Sequence, residues 1–198
     1  FGDSGGASAL AVEPLLLPLA LSTSVVGVMG ALSARTLVRL VAWLTVTSVG
    51  TVLAGVGLYG SAAWGAAFYY MLNSTLVIAA LFLLAELVAA QRGDADGQLV
   101  PASPVAQPTL LGLMLLLAAA STAGLPPLPG FIGKLMLLEA ATGHAWAAVF
   151  WTVLLLVGFI TLVGLARAGS ILFWHVRTDL AESASAGSSP KLLLATCA

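Results

Sequence analysis

The chain has 198 residues, of which 60% are hydrophobic and 8% are charged. Soluble domains carry about 25% charged residues, so this composition excludes a soluble domain and indicates an integral membrane protein. The formal net charge is -1 and no basic cluster occurs, which excludes a surface that binds nucleic acid. Cys197 is the single cysteine, so the sequence offers neither a disulfide framework nor a thiolate metal site. We predict no cofactor and no metal.

The hydrophobic segments predict an all-α fold, a polytopic membrane bundle of about five transmembrane helices with the lipid bilayer as its surroundings. Residues 1–177 form the transmembrane domain, and residues 178–198 are predicted to be a polar linker followed by the truncated start of a further helix. The chain opens like the middle of a loop, so we expect it to be a piece of a longer protein. The predicted helices are 13–33, 40–58, 62–90, 109–142 (broken) and 145–172.

The first two predicted helices carry small and hydroxylated residues. Gly27 and Gly30 allow close helix packing. The hydroxyl groups of the second helix could line a polar seam, but in membranes such groups more often bond back to their own helix or join neighbouring helices, and we favour that interpretation. They belong to Thr45, Thr47, Ser48 and Thr51.

The third predicted helix has one polar stripe near its middle. Tyr70, Asn73 and Ser74 share a face at helical spacing. The Asn73 amide could organise water along a proton path or could join neighbouring helices, and the sequence favours neither role. The segment 93–107, with its acidic residues and prolines, is predicted to be a linker outside the membrane.

The fourth hydrophobic segment is interrupted by prolines and glycines. Proline removes an amide donor and clashes with the preceding turn, whereas glycine tolerates the bend. The part after the interruption, 131–142, is too short to cross a hydrocarbon core, which needs ~20 residues. We therefore predict one span that is broken in its middle. The predicted hinge comprises Pro126, Pro127, Pro129, Gly130 and Gly133.

Lys134 lies near the start of the second half-helix. An ionisable group at this depth costs ~2.5–3.5 kcal/mol on insertion scales, so it indicates function. Desolvation and the positive end of the half-helix dipole both favour a neutral amine, which suits a proton carrier. In the alternative, the break merely ends a helix and Lys134 snorkels to the membrane interface. Glu139, five residues later, lies on another face and could meet a partner on a different helix; with Tyr70, Asn73 and Ser74 it forms the predicted supporting path.

The basic residues predict the topology. If the turn with Arg35 and Arg39 is cytoplasmic and the broken segment crosses once, Arg92, Arg167 and Arg177 fall on the same side. The connections at 59–61 and 143–144 contain no Lys or Arg, in agreement with the positive-inside rule. A re-entrant second half would instead move Arg167 to the outside. Beyond the last helix, Trp174 and His175 are predicted to form an interfacial belt.

Three landmarks in this order resemble the antiporter-like subunits that are shared by Mrp/Pha cation/proton antiporters and complex I. Residues 125–134, Leu-Pro-Pro-Leu-Pro-Gly-Phe-Ile-Gly-Lys, resemble that family's broken twelfth helix. Residues 36–43, Thr-Leu-Val-Arg-Leu-Val-Ala-Trp, are similar to the turn into its tenth helix. Residues 69–83 resemble its eleventh helix, and the motif Asn-Ser-Thr-Leu at 73–76 is most similar to the D-type subunit of the Mrp/Pha antiporters.

The resemblance implies the second of two inverted five-helix repeats, so the first repeat, which carries a membrane glutamate and two further lysines, is not among these residues. In that family the lysine that matches Lys134 moves protons through the second half-channel. Ser74 and Ile78 stand where the family often has a histidine and a lysine, and Val38 replaces a lysine of the turn. These departures leave Lys134 to connect through water near Tyr70, Asn73 and Ser74.

The resemblance implies a secondary transporter subunit rather than an enzyme. We expect it to exchange H+ for Na+ or K+ in a bacterial inner membrane, together with other membrane subunits of a hetero-oligomeric complex. One alternative is a proton-pumping subunit of complex I or a related hydrogenase, in which redox chemistry elsewhere drives the same lysine. Another is a truncated scaffold fragment that transports nothing.

Overall fold

The computed structural model describes residues 6–92, 97–100, 105 and 107–173, with side chains from residue 15 onward. These residues form an all-helical bundle and contain no strand beyond one isolated bridge. The predicted fold class, with its broken fourth span, is confirmed. The interfacial belt at 174–177, the linker with its following segment at 178–198, and most of the 93–107 linker lie outside the described residues. The helices are α1 (Gly6–Ser33), α2 (Leu37–Val56), α3 (Ser61–Gln91), α4 (Pro108–Ala123), α5 (Pro129–Ala140) and α6 (Ala147–Phe173).

Four of these helices, α1, α2, α3 and α6, are long and apolar enough to cross a membrane. The two shorter ones, α4 with 16 residues and α5 with 12, are each too short to cross a hydrocarbon core alone. α1 begins earlier than its predicted start at residue 13, because the residues before that position also favour a helix.

The two halves of the broken span belong to different parts of the core. α4 contributes Leu115 and Ala119 to a buried apolar cluster shared with α2, α3 and α6. α5 contributes Leu137 to a second cluster, which it shares with Phe150 of α6 and with residues of α1, α2 and α3. The break, and the lysine that follows it, therefore lie between two apolar halves of the bundle.

α1 and α2 pack so closely that three glycines have no room for a side chain. A Cβ built at Gly27 would lie 2.5 Å from the Thr47 hydroxyl, and one at Gly30 would lie 2.3 Å from the Trp43 ring. Gly50 of α2 meets Ser24 of α1 in the same way, at 2.5 Å. The close approach that the sequence indicated at Gly27 and Gly30 is present in the structure, and it lets small residues join the two helices.

The threonine hydroxyls of α2 bond within their own helix, as we expected. They donate to carbonyl oxygens four residues earlier at 3.0 Å, in the pairs Thr45 to Val41, Thr47 to Trp43 and Thr51 to Thr47. The Ser24 hydroxyl of α1 also donates to the Thr47 carbonyl, at 3.3 Å. Within the described residues, this group of hydroxyls joins α1 to α2.

Four arginines of the described residues, Arg35, Arg39, Arg92 and Arg167, lie at one end of the bundle. Arg92, at the end of α3, is 3% exposed and donates to the carbonyls of Gln98, at 2.7 Å, and Val100. The strip 97–100 pairs in turn with the α1–α2 turn, because Leu37 N–H donates to Gly97 and Leu99 N–H donates to Arg35.

Arg167 of α6 reaches the same turn, where it donates to the Ala34 carbonyl at 3.4 Å. Gly112 of α4 likewise faces Phe173 at the end of α6. α4 and α6 are therefore antiparallel. At the start of α6, Trp151 donates to the Leu138 carbonyl of α5 at 3.0 Å, so α4 and α5 together cross the bundle once. The crossing arrangement is the observed one, and a re-entrant α5, which would invert α6, is not.

Replacing Arg92 by alanine is expected to release the strip 97–100 from the α1–α2 turn. Two backbone carbonyls would lose charge-assisted donors, each worth ~1.5–3 kcal/mol, so the unfolding temperature of the full-length subunit in detergent should fall. Arg92→Lys should lower the unfolding temperature less than Arg92→Ala but still below the original value, because an ammonium group lacks the planar fork of a guanidinium. Arg39→Ala removes an exposed arginine from the same end and serves as the control. Equal unfolding temperatures for Arg92→Ala and Arg39→Ala would contradict this role.

Candidate proton-carrier site in the broken helix

The break in the fourth span is built by Gly124. Its φ of +84° lies in the left-handed region, which costs glycine little, and it ends α4. Its N–H group donates to the carbonyls of Ala120, at 3.0 Å, and Ser121, at 3.2 Å. Leu125 N–H also bonds to Ala120, at 2.8 Å, which completes a common type of helix C-cap. α5 then begins at Pro129, where proline is favoured because its missing N–H needs no partner in the first turn.

The break covers residues 124–128 and is therefore displaced from the predicted hinge. Pro126 and Pro127 lie in it, joined by a cis peptide bond. Pro129 and Gly130 belong to the first turn of α5, since proline at the first position starts a helix rather than ending one. Gly133 lies inside α5, where a Cβ would be 3.2 Å from the Tyr69 ring. Gly133 therefore serves the packing of α5 on α3.

Gly130 brings the start of α5 onto the last turn of α4. A Cβ at this position would lie 1.7 Å from the carbonyl oxygen of Ser121 and 2.7 Å from its carbonyl carbon. Only a residue without a side chain can occupy it. The two half-helices therefore overlap side by side at the break and do not simply follow each other.

Lys134 extends from α5 back to the end of α4. Its side chain is 8% exposed, and its amino group donates to the carbonyl oxygens of Ala123 at 2.6 Å and Thr122 at 3.1 Å. A helix leaves its last four carbonyl groups without helical partners. In α4 the amides of Gly124 and Leu125 donate to the first two of these carbonyls, and the Lys134 amino group donates to the last two. The lysine therefore completes the capping of the broken helix.

This geometry corrects the electrostatic expectation for Lys134. The residue lies in the second turn of α5, and helical side chains lean towards the N-terminus, so its chain leads back across the break. The amino group consequently lies at the negative end of α4 rather than at the positive end of α5. Carbonyl oxygens there accept hydrogen bonds from the amine and stabilise a positive charge. The side chain turns inward and does not snorkel to an interface.

Two glycines that the predicted hinge does not include surround the lysine. A Cβ at Gly124 would lie 2.7 Å from Lys134 Cδ, and a Cβ at Gly158 of α6 would lie 2.9 Å from Lys134 Nζ. Gly124 could have been found from its place at the end of an apolar helix before three prolines. Gly158 is one of three glycines in α6, so the sequence alone does not distinguish it from Gly164 and Gly169.

The predicted supporting residues do not bond to Lys134 in the described part of the chain. Tyr70 is buried, and its hydroxyl interacts with those of Ser48 and Thr51 on α2. Ser74 donates back to the Met71 carbonyl, at 3.1 Å. Asn73 is half-buried and Glu139 is exposed. Tyr70 still adjoins the site, because its backbone lies against Gly133, next to the lysine.

One further polar group lies at the break. The Ser121 hydroxyl is buried and has no hydrogen-bond partner among the described residues. Buried hydroxyl groups are usually paired with protein or with water, so a bound water molecule would satisfy this one. The same part of the chain contains no group of three or more His, Cys, Asp or Glu side chains that could hold a metal ion.

A buried, titratable amine at a helix break in a polytopic bundle can bind and release a proton at membrane depth. Irregular backbone is tolerated there only where protein buries it or where it lines a wet cavity. Broken spans of this kind are typical of ion-coupled membrane transporters. Fold and site thus define the class of a multi-pass membrane protein with a broken span of the kind found in transporters.

The chain belongs to the NADH:quinone oxidoreductase/Mrp antiporter transmembrane family, whose pattern matches residues 7–162. The matched range includes all the residues of the site, from the end of α4 to Gly158. This result confirms the resemblance that the three sequence landmarks indicated.

Individual relatives are consistent with this family assignment. The D-type subunit of a probable K(+)/H(+) antiporter from Rhizobium meliloti is 32% identical over 88% of this chain and 38% of its own length. The D-type subunit of a Na(+)/H(+) antiporter from Bacillus subtilis is 34% identical over 71% of this chain and 28% of its own. The solved Mrp complex of Dietzia sp. superimposes with a TM-score of 0.70, at 28% identity, over 81% of this chain and 30% of the matched chain. The chain thus spans less than half the length of these relatives.

Proposed function

We propose that this chain is part of the proton-translocating subunit of a multi-subunit antiporter that exchanges H+ for Na+ or K+, and that Lys134 is its buried proton carrier. Membership of the family makes the chain part of an antiporter-like membrane subunit. The exchange of H+ for Na+ or K+ is supported by the names of two relatives, one a subunit of a probable K(+)/H(+) antiporter and the other a subunit of a Na(+)/H(+) antiporter.

The observation that carries the proposal is the position of the Lys134 amino group. It is buried at the break and bonded to two backbone carbonyls, and within the described residues it has no carboxylate partner. A carboxylate would favour the charged amine more strongly, whereas neutral carbonyl acceptors hold its proton less firmly and let it be released. A proton carrier requires this ability.

The proposed path to and from Lys134 runs through water. We place Tyr70, Asn73 and Ser74 of α3 on this path, with water joining them to Lys134, and Glu139 further along α5. The buried hydroxyl of Ser121 offers another anchor for a water molecule beside the break. Protons reach the amine over these groups, and cation movement is coupled elsewhere in the full-length subunit or in its partners.

In this proposal the subunit lies in a bacterial inner membrane among other membrane subunits. The arginine-bearing end, with Arg35, Arg92 and Arg167, faces the cytoplasm, as the positive-inside rule favours. The opposite connections at 59–60 and 143–146 carry no Lys or Arg. The broken span then releases protons towards the other side.

A second candidate is a proton pump driven by quinone reduction, because the family description also includes NADH:quinone oxidoreductase. The site would work in the same way, with Lys134 taking and giving protons. The source of energy differs between the two candidates, and an experiment can separate them.

The test is proton exchange in everted vesicles of a strain that lacks its own antiporters and expresses the full-length operon. We expect added Na+ or K+ to release protons from acidified vesicles without any quinone reductant. Lys134→Ala should abolish this exchange in complexes that still assemble, and Leu135→Ala, at an exposed position of the same helix outside the proposed path, should impair it far less.

Each alternative has its own outcome. Proton movement that requires NADH and quinone, and that ignores added cations, would favour the redox-driven pump. Normal exchange by an assembled Lys134→Ala complex would contradict the carrier role and leave α4 and α5 as a scaffold.

A further inference from the structure

Gly158 lies in the middle of α6, where nothing in the backbone requires a glycine. The helix runs unbroken from Ala147 to Phe173, and Gly158 has no left-handed φ. A glycine inside a helix costs about 1 kcal/mol relative to alanine. Its presence at this position therefore calls for a reason in the packing.

The surroundings of Gly158 supply that reason. A Cβ would lie 2.9 Å from the Lys134 amino nitrogen and 2.9 Å from the Ala123 carbonyl oxygen, and the next neighbour is 4.0 Å away. Both distances are shorter than those that real Cβ atoms show. The two atoms are the donor and the acceptor of the 2.6 Å hydrogen bond that caps α4. The missing side chain therefore leaves room for this hydrogen bond specifically.

We propose that Gly158 is a positioning residue for proton transfer at Lys134: it gives α6 a surface on which the amino group can reach the C-terminal carbonyls of α4. A side chain at 158 would displace the amine from Ala123. This inference rests on the proposed function, because it assigns Gly158 a role in the chemistry of the same lysine.

The titratable side chains of the surrounding helices do not pair with the Lys134 amino group in the described part of the chain. The helices packed around the lysine carry Tyr69, Tyr70 and Glu86 on α3, Glu139 on α5 and Arg167 on α6, and α4 has none. None of them forms a hydrogen bond or ion pair with Lys134 in the described part of the chain. The neutral carbonyls of Thr122 and Ala123 therefore dominate the environment of the amine.

The experiment compares Gly158→Ala with Gly164→Ala in the full-length, assembled complex. Gly164 is buried on the same helix, but its Cβ would make only an ordinary contact of 3.7 Å with Leu32. We expect Gly158→Ala to move the pH of half-maximal cation-driven exchange by about one unit towards acid, because a hydrogen bond that favours the protonated amine is lost. Gly164→Ala should keep the original profile. An unchanged profile for assembled Gly158→Ala would overturn the inference.

A second measurement does not depend on transport. Thermal unfolding in detergent is compared for Gly158→Ala, Lys134→Met and the double variant. The methionine has no amino group to displace, so Gly158→Ala should lower the unfolding temperature less in the Lys134→Met background. If Gly158→Ala alone fails to assemble, Lys134→Met should restore assembly.

Equal losses in both backgrounds, or no restoration, would overturn the positioning role, since the clash would then lie with the backbone of α4. If Lys134→Ala leaves exchange intact while the two substitutions remain coupled, the proposed carrier function fails and the contact between Gly158 and Lys134 stands. The two failures are thus distinguishable.

Discussion

Replacing Gly130 by alanine is expected to prevent the two halves of the broken span from docking, and with it the assembly of the subunit. The new Cβ would lie 1.7 Å from the Ser121 carbonyl oxygen. That oxygen belongs to the backbone of α4 and is bonded to Gly124 N–H, so it cannot swing away as a side chain could. Relief requires the whole helix to move by more than an ångström. Overpacking a fitted core typically costs ~1–3 kcal/mol, and a forced backbone shift costs more.

The measurement is the amount of subunit recovered in the assembled complex, with the unfolding temperature in detergent for whatever assembles. Gly65→Ala is the matched control, because nothing lies within 4 Å of its Cβ and alanine favours the helix. Gly133→Ala should fall between the two, since its Cβ would be 3.2 Å from the Tyr69 ring. Normal assembly of Gly130→Ala would mean that α4 and α5 do not overlap as the structure has them.

The broken span could be predicted because its causes are local. Proline and glycine change backbone preferences at their own positions, whatever surrounds them. Three prolines within a dozen apolar residues therefore predict an interruption from sequence alone, and Lys134 stands out since apolar segments rarely contain a charge. The exact limits of the break were less accessible. In the sequence Pro129 predicts the end of a helix, but in the structure it is the first residue of α5.

The environment of Lys134 could not be predicted, because it depends on how two separate helices meet. The sequence places the residue near the start of a half-helix, which suggests the positive end of a dipole. The structure carries its amine across the break to the negative end of α4. Gly158 lies 24 residues further along the chain, and only tertiary packing brings it to the amine. Tyr70 likewise shares a face with Asn73 and Ser74, yet its hydroxyl meets the neighbouring helix α2.

Lys134→Arg is expected to abolish cation-driven proton exchange while the subunit still assembles. Arginine supplies several N–H donors that can bond to the Thr122 and Ala123 carbonyls, so the cap of α4 is retained. Its guanidinium remains protonated in proteins and cannot release a proton to a carrier path. If Lys134 moves protons, exchange should fall by about 100-fold or more, as expected on removing a group that transfers protons. The measurement is exchange in vesicles, normalised to the amount of assembled complex.

This substitution separates the two roles that the structure gives to one side chain. Lys134→Ala removes both the proton carrier and the cap, and it leaves two carbonyls without donors at ~1–3 kcal/mol each, so a loss of exchange could follow from misfolding. Lys134→Arg keeps a donor and a charge and removes only the ability to deprotonate. Lys134→Met, of similar length but without a donor, controls for the shape of the space beside Gly124 and Gly158. Exchange retained by Lys134→Arg and lost by Lys134→Met would make Lys134 a fixed cap of the broken helix, because a residue that never loses its proton cannot carry one.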